Sequence, residues 1–280
     1  SSDLFKITTD IRLLELSDMS HPLLQRMALE APGTYHHSMM VANLAQSAAK
    51  KIGANDLLIR VCAYYHDIGK MAKPEFFIEN INADNPHDEL APSMSTLVVI
   101  SHVKEGVGMA QRHKLPPPII EAIKTHHGTT IISYFFSKAL KAAKEANPDI
   151  SKEDLPKKED FRYPGPKPKT PEMGILLLAD SVEAASRTLE KPTASNIENL
   201  INKIVNDKLL DDQLSECNLT FGQLAAVKET FNFNLNNMLH ARISYPDNED
   251  RDNKPTEQTK PKSKRSGTTN SVANDSGASA

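Results

Sequence analysis

Ala63-Tyr64-Tyr65-His66-Asp67-Ile68-Gly69-Lys70 decides how this chain is read. An apolar run ends there, and an imidazole and a carboxylate stand side by side at its end. Apolar packing gains nothing from such a pair, because buried polar groups need partners; a metal ion would supply one. The pattern predicts a helix over Leu57–Met71. Lys70, three residues past Asp67, then lies on the same side of a helical turn.

Similar settings recur along the chain. His37 stands at the start of a helix expected over Tyr35–Ile52, in which Val41, Leu44, Ala45, Ala48 and Ile52 follow the i, i+3, i+4 rule and Gly53 is the stop. His102 ends the apolar segment Val98–Ile100 in a helix that begins at Pro92. His126-His127 ends a helix over Pro118–His127, with Gly128 just past it. Asp180 follows Leu178-Ala179 inside a helix expected over Glu172–Leu189.

Taken singly, each histidine would suit a hydrogen-bonded structural role, and Asp180 a surface carboxylate. Taken together, several imidazoles and two carboxylates buried without partners would be costly. A pair of divalent cations would satisfy them all. Neutral imidazole suits iron, manganese, zinc or nickel, and carboxylates balance the charge. Asp67 is the candidate bridge, one oxygen to each ion. Two ions about 3.5–4 Å apart can share a hydroxide and clamp a phosphoryl group for in-line attack.

Lys70 could hold a phosphate oxygen as a point charge. Arg187 lies seven residues after Asp180, two turns along the same face; it either grips a second phosphate bidentately or forms a salt bridge. His36 points about 100° away from His37 on a helix and is not expected to be a ligand. His21, His87, His113 and His240 are read as structural or exposed. Thr129 and Thr130 either line a cleft or cap the next helix.

The chain of 280 residues is 39% apolar and 25% charged, enough for one or two domains with a core. With 5% aromatics and no Trp, aliphatic residues and Met must build that core. The net charge of −3 excludes the global basic field that would hold a nucleic acid polymer. The two cysteines, Cys62 and Cys217, are far apart and outside any CxxC motif, which suggests a reducing compartment. No apolar run is long enough to span a bilayer. Further helices are expected over Ile131–Ala146, Asn196–Leu210 and Thr220–His240, with Thr220 as N-cap. Residues 147–171, rich in proline and charge, are expected as an excursion. The fold class expected is all-α. Residues 1–246 form one domain, and 247–280, nearly devoid of apolar residues, a disordered tail.

The order His37, His66-Asp67, His102, His126-His127, Asp180 resembles the HD-domain phosphohydrolase superfamily, a helical bundle. A single-metal member needs only His37, His66, Asp67 and Asp180, so the further histidines match the two-metal branch. Within that branch the chain resembles the PgpH family, the HD domains of seven-transmembrane HD receptors. The likeness rests on Pro32-Gly33-Thr34-Tyr35-His36-His37-Ser38, Ala63–Lys70, Glu79-Asn80, Asn85-Pro86-His87-Asp88, His126-His127-Gly128-Thr129, Phe161-Arg162-Tyr163-Pro164-Gly165-Pro166 and Leu178–Ala185, and covers about Leu13 to Pro246.

The resemblance implies a phosphodiesterase that hydrolyses cyclic di-AMP to the linear dinucleotide pApA. It implies one ion on His37, His66, Asp67 and Asp180, and another on Asp67, His102, His126 and His127. A histidine-rich set with a bridging carboxylate fits iron or manganese, and zinc can occupy it too; Asp67, Lys70 and Arg187 are the candidate catalytic residues. Family members carry seven membrane helices upstream, so the chain reads as an excised cytoplasmic domain of an inner or plasma membrane protein. Any membrane contact would come through that absent portion, and a homodimer is expected by analogy. The sibling HD-GYP family, which cleaves cyclic di-GMP, would place Gly-Tyr-Pro soon after the double histidine, where Gly128-Thr129-Thr130-Ile131-Ile132 stands. The alternatives are cyclic di-GMP or another nucleotide as substrate, or a non-catalytic sensor of cyclic dinucleotides.

Overall fold

The computed structural model of the chain describes residues 8–81 and 84–243, with side chains through 239. The tail expected over 247–280 lies outside the described residues. Among the described residues ten α-helices carry the fold: α1 (Asp10–Leu16), α2 (Pro22–Glu30), α3 (Pro32–Ile52), α4 (Asp56–Tyr65), α5 (Pro92–Arg112), α6 (Pro117–Thr125), α7 (Ser133–Ala146), α8 (Pro171–Ser186), α9 (Ala194–Leu210) and α10 (Phe221–Ile243). Among the described residues there is no strand; one antiparallel bridge joins Ile131 to Arg162. The expectation of an all-α bundle holds.

The bundle forms around α8. Its sequence is apolar on nearly every side, and Ile175, Leu176, Leu177, Leu178 and Ala179 are wholly buried, as expected of a helix packed all round. It packs on α3, α4, α6 and α9. Thr170 caps its start by accepting from Met173 N, and Pro171 fills the first position, where a missing N–H costs nothing. Gly53, at φ 75°, ends α3 as the sequence indicates. Thr220 accepts from Gln223 N at 3.2 Å, the cap expected for α10.

The expected helix over Leu57–Met71 breaks at the motif itself. The α-helix α4 stops at Tyr65, Asp67 takes φ −108° and ψ 13°, and a 3₁₀ turn runs from Ile68 to Ala72. Gly69 explains the local path. A Cβ there would overlap the His102 carbonyl, so only glycine lets this turn lie against α5. Apolar spacing does not separate an α-helix from an α-helix followed by a 3₁₀ turn. Leu97–Ile100 proves helical, inside α5. Residues 147–170 contain one 3₁₀ turn, Lys158–Phe161, and no α-helix, as expected of the excursion. No helix among the described residues is long and apolar enough to cross a membrane.

Candidate metal centre

The structure brings His37 from α3, His66 and Asp67 from the end of α4, His102 from α5, His126 and His127 from the end of α6, and Asp180 from α8 into one cluster. Two overlapping sets form: His37, His66, Asp67 and Asp180, and Asp67, His102, His126 and His127. In each, the nearest ligand atoms lie within 4.8 Å of one another. All but His127 are buried.

Three of the histidines are aimed by the same local device. His66 Nδ1 donates to Ala63 O at 2.7 Å, His102 Nδ1 to Val99 O at 2.6 Å, and His126 Nδ1 to Ile123 O at 2.8 Å. A carbonyl oxygen only accepts, so Nδ1 carries the proton in each. That leaves Nε2 as the atom a metal or a second proton can take. His37 is aimed differently. Its Nδ1 bonds the Glu183 carboxylate, and its Nε2 lies 3.0 Å from Asp180 Oδ1. Glu183 in turn accepts from Arg187 Nε and Nη2 at 2.8–3.1 Å. A carboxylate behind a histidine is the arrangement that fixes the ring and raises its basicity toward a metal.

Asp67 sits between the sets. Its Oδ2 lies 3.2 Å from His66 Nε2 and 3.5 Å from His37 Nε2; its Oδ1 lies 3.4 Å from both His102 Nε2 and His126 Nε2. Asp180 straddles more loosely, with Oδ1 toward His37 and His66 and Oδ2 3.4 Å from His127 Nδ1.

The donors fit divalent cations. Both Asp67 oxygens and His66 Nε2 are fully buried and lack a hydrogen-bond partner. Lys70 Nζ is 2.8 Å from Asp67 Oδ2, but off the direction of a hydrogen bond, so it contributes charge rather than satisfaction. His102 Nε2 and His126 Nε2 stand 3.2 Å apart. In the neutral Nδ1–H tautomer neither ring has a hydrogen on Nε2 to offer the other, and a cation fits beside both.

In the metal-free protein His37 and His66 shift in the opposite direction to His102 and His127. Burial pulls His66 down, but Asp67 and Asp180 outweigh it and lift it to about 10. His37 is likewise raised, against its burial, by Asp180 and Glu183. His102 is lowered to about 4, chiefly by burial, with His126 and Lys70 opposing Asp67. Burial and His126 push His127 well below the usual imidazole range. Burial works against the charge on Asp67 and Asp180, yet Lys70 and His66 at the first, and His37 and His66 at the second, hold both carboxyls well below the usual range.

His37, His102, His127 and Asp180 of the cluster line a cavity of about 400 Å³, within the range of small-molecule sites. Lys70, Phe77, Ile78, Val99, Tyr163 and Arg187 stand on its walls. Lys70 still meets Asp67, because residues three apart eclipse in a 3₁₀ turn. It is held on its other side by Glu79 Oε1 at 2.8 Å, and lies 5.1 Å from the Phe77 ring centre. Glu79 is fixed by Thr34 Oγ1 at 3.1 Å. Tyr163 stacks on His127 with ring centres 4.2 Å apart.

His36 is exposed, in keeping with its exclusion, as is His113. His21 caps α2, accepting from Leu23 N, and His87 is buried, donating from Nε2 to Phe76 O at 2.9 Å. The side chain of His240 lies outside those described. Thr130 bonds back to His127 O, and Thr129 to Gln213, so neither caps α7. Sequence reasoning assigns no role to Glu183, Glu79 or Tyr163. Glu183 has a signal, since it lies three residues past Asp180 on one helix face.

The HD domain family matches residues 34–185. The cyclic-di-AMP phosphodiesterase PgpH of Listeria monocytogenes is 46% identical over 248 residues, 88% of this chain and 33% of that protein. Its counterpart in Bacillus subtilis is 47% identical over 244 residues, 87% of this chain and 33% of that protein. The chain thus spans about a third of the length of these relatives. The crystal structure of the L. monocytogenes PgpH HD domain in complex with cyclic-di-AMP superposes with a TM-score of 0.72 at 45% identity, covering 79% of this chain and 99% of that one. Divalent metals are the ligands of HD-domain phosphohydrolases, and the donor sets above could hold them. The chain belongs to the HD-domain family, in its PgpH branch.

Proposed function

We propose that this chain is a metal-dependent phosphodiesterase that opens cyclic di-AMP to pApA. The observation that carries the reading is Asp67, whose two oxygens face separate imidazole sets. The identity to a domain seen with cyclic-di-AMP supports the choice of substrate. On this reading His37, His66, Asp67 and Asp180 hold one ion, and Asp67, His102, His126 and His127 the other. Iron or manganese suits such an imidazole and carboxylate set, and zinc can also occupy it. When bound, the ions supply Lewis acidity and a strongly acidified water.

The chain's own residues do the rest. Lys70, fixed between Asp67 and Glu79, gives a stationary positive charge for a phosphate oxygen. Arg187, braced by Glu183, stands on the same wall for the second phosphate; its Nη1 has no protein partner among the described residues. Tyr163 and Phe77 offer flat apolar faces to the bases. Hydrolysis breaks the P–O3′ bond and leaves the phosphate on the 5′ end of the linear product.

Residues 1–246 constitute the phosphodiesterase domain, with 147–171 as an excursion within it. On the family reading the domain works at the cytoplasmic face, tethered through a membrane portion outside this sequence, and pairs as a homodimer.

The test is turnover. The purified chain is loaded with Mn²⁺ or Fe²⁺, given cyclic di-AMP or cyclic di-GMP, and followed by chromatography. Metal-dependent appearance of pApA, faster than any product from cyclic di-GMP, is expected. Binding of cyclic di-AMP with no pApA under any metal would overturn the enzyme reading in favour of a sensor.

A further inference from the structure

His127 is the one histidine of its set without a carbonyl behind it. Its Nδ1 faces Asp180 Oδ2 at 3.4 Å instead, and its side chain is 19% exposed where those of His102 and His126 are at most 1% exposed. Something other than its own helix must aim this ring.

The turn after it is gripped from two distant parts of the chain. Gln213, wholly buried in the loop before α10, accepts from Thr129 N at 2.8 Å and Thr129 Oγ1 at 3.2 Å. Its amide nitrogen donates to Thr129 Oγ1, Asp211 O and Asp211 Oδ2 at 2.9–3.0 Å. Arg162, from the Pro-rich excursion, donates to Thr129 O at 2.7 Å and spans both oxygens of Asp211 at 2.7 and 3.0 Å. The neighbouring Tyr163 hangs from Thr130 O by its N–H at 3.0 Å and lays its ring on His127.

The grip is close. Gly128 sits at φ 54°, and a Cβ there would press on Gln213 Oε1 at 2.5 Å, so glycine is required on both counts. Asp212, which turns Gln213 inward, is held at φ 57°, a conformation that costs a non-glycine residue energy. Every amide position of a buried glutamine is thus spent on one turn and the aspartate beside it. A core-filling role would not ask for that, since an apolar side chain fills space without needing partners.

We infer that Arg162 and Gln213 are positioning residues for His127: through Thr129 and Tyr163 they set its ring for the ion shared with Asp67, His102 and His126. The inference rests on the two-ion reading above and deepens it. The clamp does what the i−3 carbonyls do for His66, His102 and His126. It ties the geometry of one ion, and not the other, to the excursion and the loop before α10.

The test is a Co²⁺ titration of the purified chain, followed by visible absorption, which reports coordination, and by calorimetry. His126→Ala and His66→Ala identify which binding step belongs to which ion. In Gln213→Glu the step lost in His126→Ala should weaken about 10- to 100-fold, the usual cost of removing a residue that orients a ligand. The step lost in His66→Ala should weaken less, because neither Arg162 nor Gln213 bonds to His37, His66 or Asp180. Arg162→Lys, which keeps the charge and loses the fork, should shift the same step in the same direction. Equal weakening of both steps, or of neither, in a chain with native helical circular dichroism overturns the inference. So does loss of helical signal in both variants, which would make the clamp merely structural. A wild-type chain that takes up only one ion overturns the two-ion reading itself.

Discussion

On the Oδ2 side of Asp67, His37 and His66 lie among carboxylates, with Asp180 in front and Glu183 behind. On the Oδ1 side, His102 and His126 meet no carboxylate but Asp67 and face each other across 3.2 Å. In the absence of metal His37 and His66 are raised and hold protons, whereas burial lowers His102 and His127 and strips them of theirs. One aspartate can therefore serve two unlike sites: a charge-rich one whose histidines must give up protons to bind a cation, and one in which His102 and His127 are already free of theirs. The difference also shows in how the rings are aimed, by Glu183 on one side and by backbone carbonyls and the Thr129 clamp on the other.

The largest effect is expected where the halves meet. Asp67→Ala should release both ions and lower turnover about a thousandfold, the equivalent of about 4 kcal/mol of lost charge stabilisation. Metal analysis and a cyclic di-AMP assay on the same sample check it; retention of two ions would separate Asp67 from the centre.

Single histidines should split the pair. His66→Ala should empty the first site and His126→Ala the second, each by at least about 100-fold in affinity, since even residues that only orient ligands cost 10- to 100-fold. Loss of both ions from either variant would mean that the sites are occupied only together.

Glu183→Gln sharpens the contrast further. It keeps the shape but replaces the charge that backs His37 and anchors Arg187. Affinity at the first site should fall about tenfold and the second should hold, as read by calorimetry.

The smallest effect is a proton count. His66, raised to about 10, is charged at neutral pH without metal, whereas His102, lowered to about 4, is not. Loading the first site should release protons at pH 7, and its affinity should rise with pH; loading the second should release fewer. By the same shift, the metal-free chain gains stability from His66 that is fully present below about 6.5, its unfolded value, and is lost as pH rises through about 10. Titrations in buffers of different ionisation enthalpy count the protons, and thermal melts across pH follow the stability.

Much of this centre is legible in the amino-acid sequence. The histidines and aspartates stand at the ends of apolar segments, where burial without a partner is costly, so the sequence pattern itself raises the question of a cation. Helix limits follow where capping chemistry is local, as at Gly53, Thr170 and Thr220. The break after Tyr65 is not legible, because apolar spacing is nearly the same for an α-helix and a short 3₁₀ turn. Nor are helices α1 and α2; they are short, and Ile11, Leu14 and Leu29 are exposed, which blurs their apolar stripe. Arg162 and Gln213 escape any reading of spacing, since each acts on Thr129 across 33 and 84 residues of sequence. Glu183 is within reach of such a reading, three residues from Asp180 and four from Arg187. A pairing of Arg187 with phosphate draws attention away from it, although one guanidinium has donors for both, Nε and Nη2 for Glu183 and Nη1 for a phosphate.

In the two-ion reading Asp67 must join both ions. Electron paramagnetic resonance of the Mn²⁺-loaded chain tests this most directly, because two ions about 3.5–4 Å apart with a shared ligand couple magnetically while isolated ions do not. Two bound Mn²⁺ per chain are expected, with a coupled spectrum that disappears in Asp67→Ala. Two bound ions with the uncoupled signature of isolated Mn²⁺ in the wild-type chain would contradict a shared aspartate.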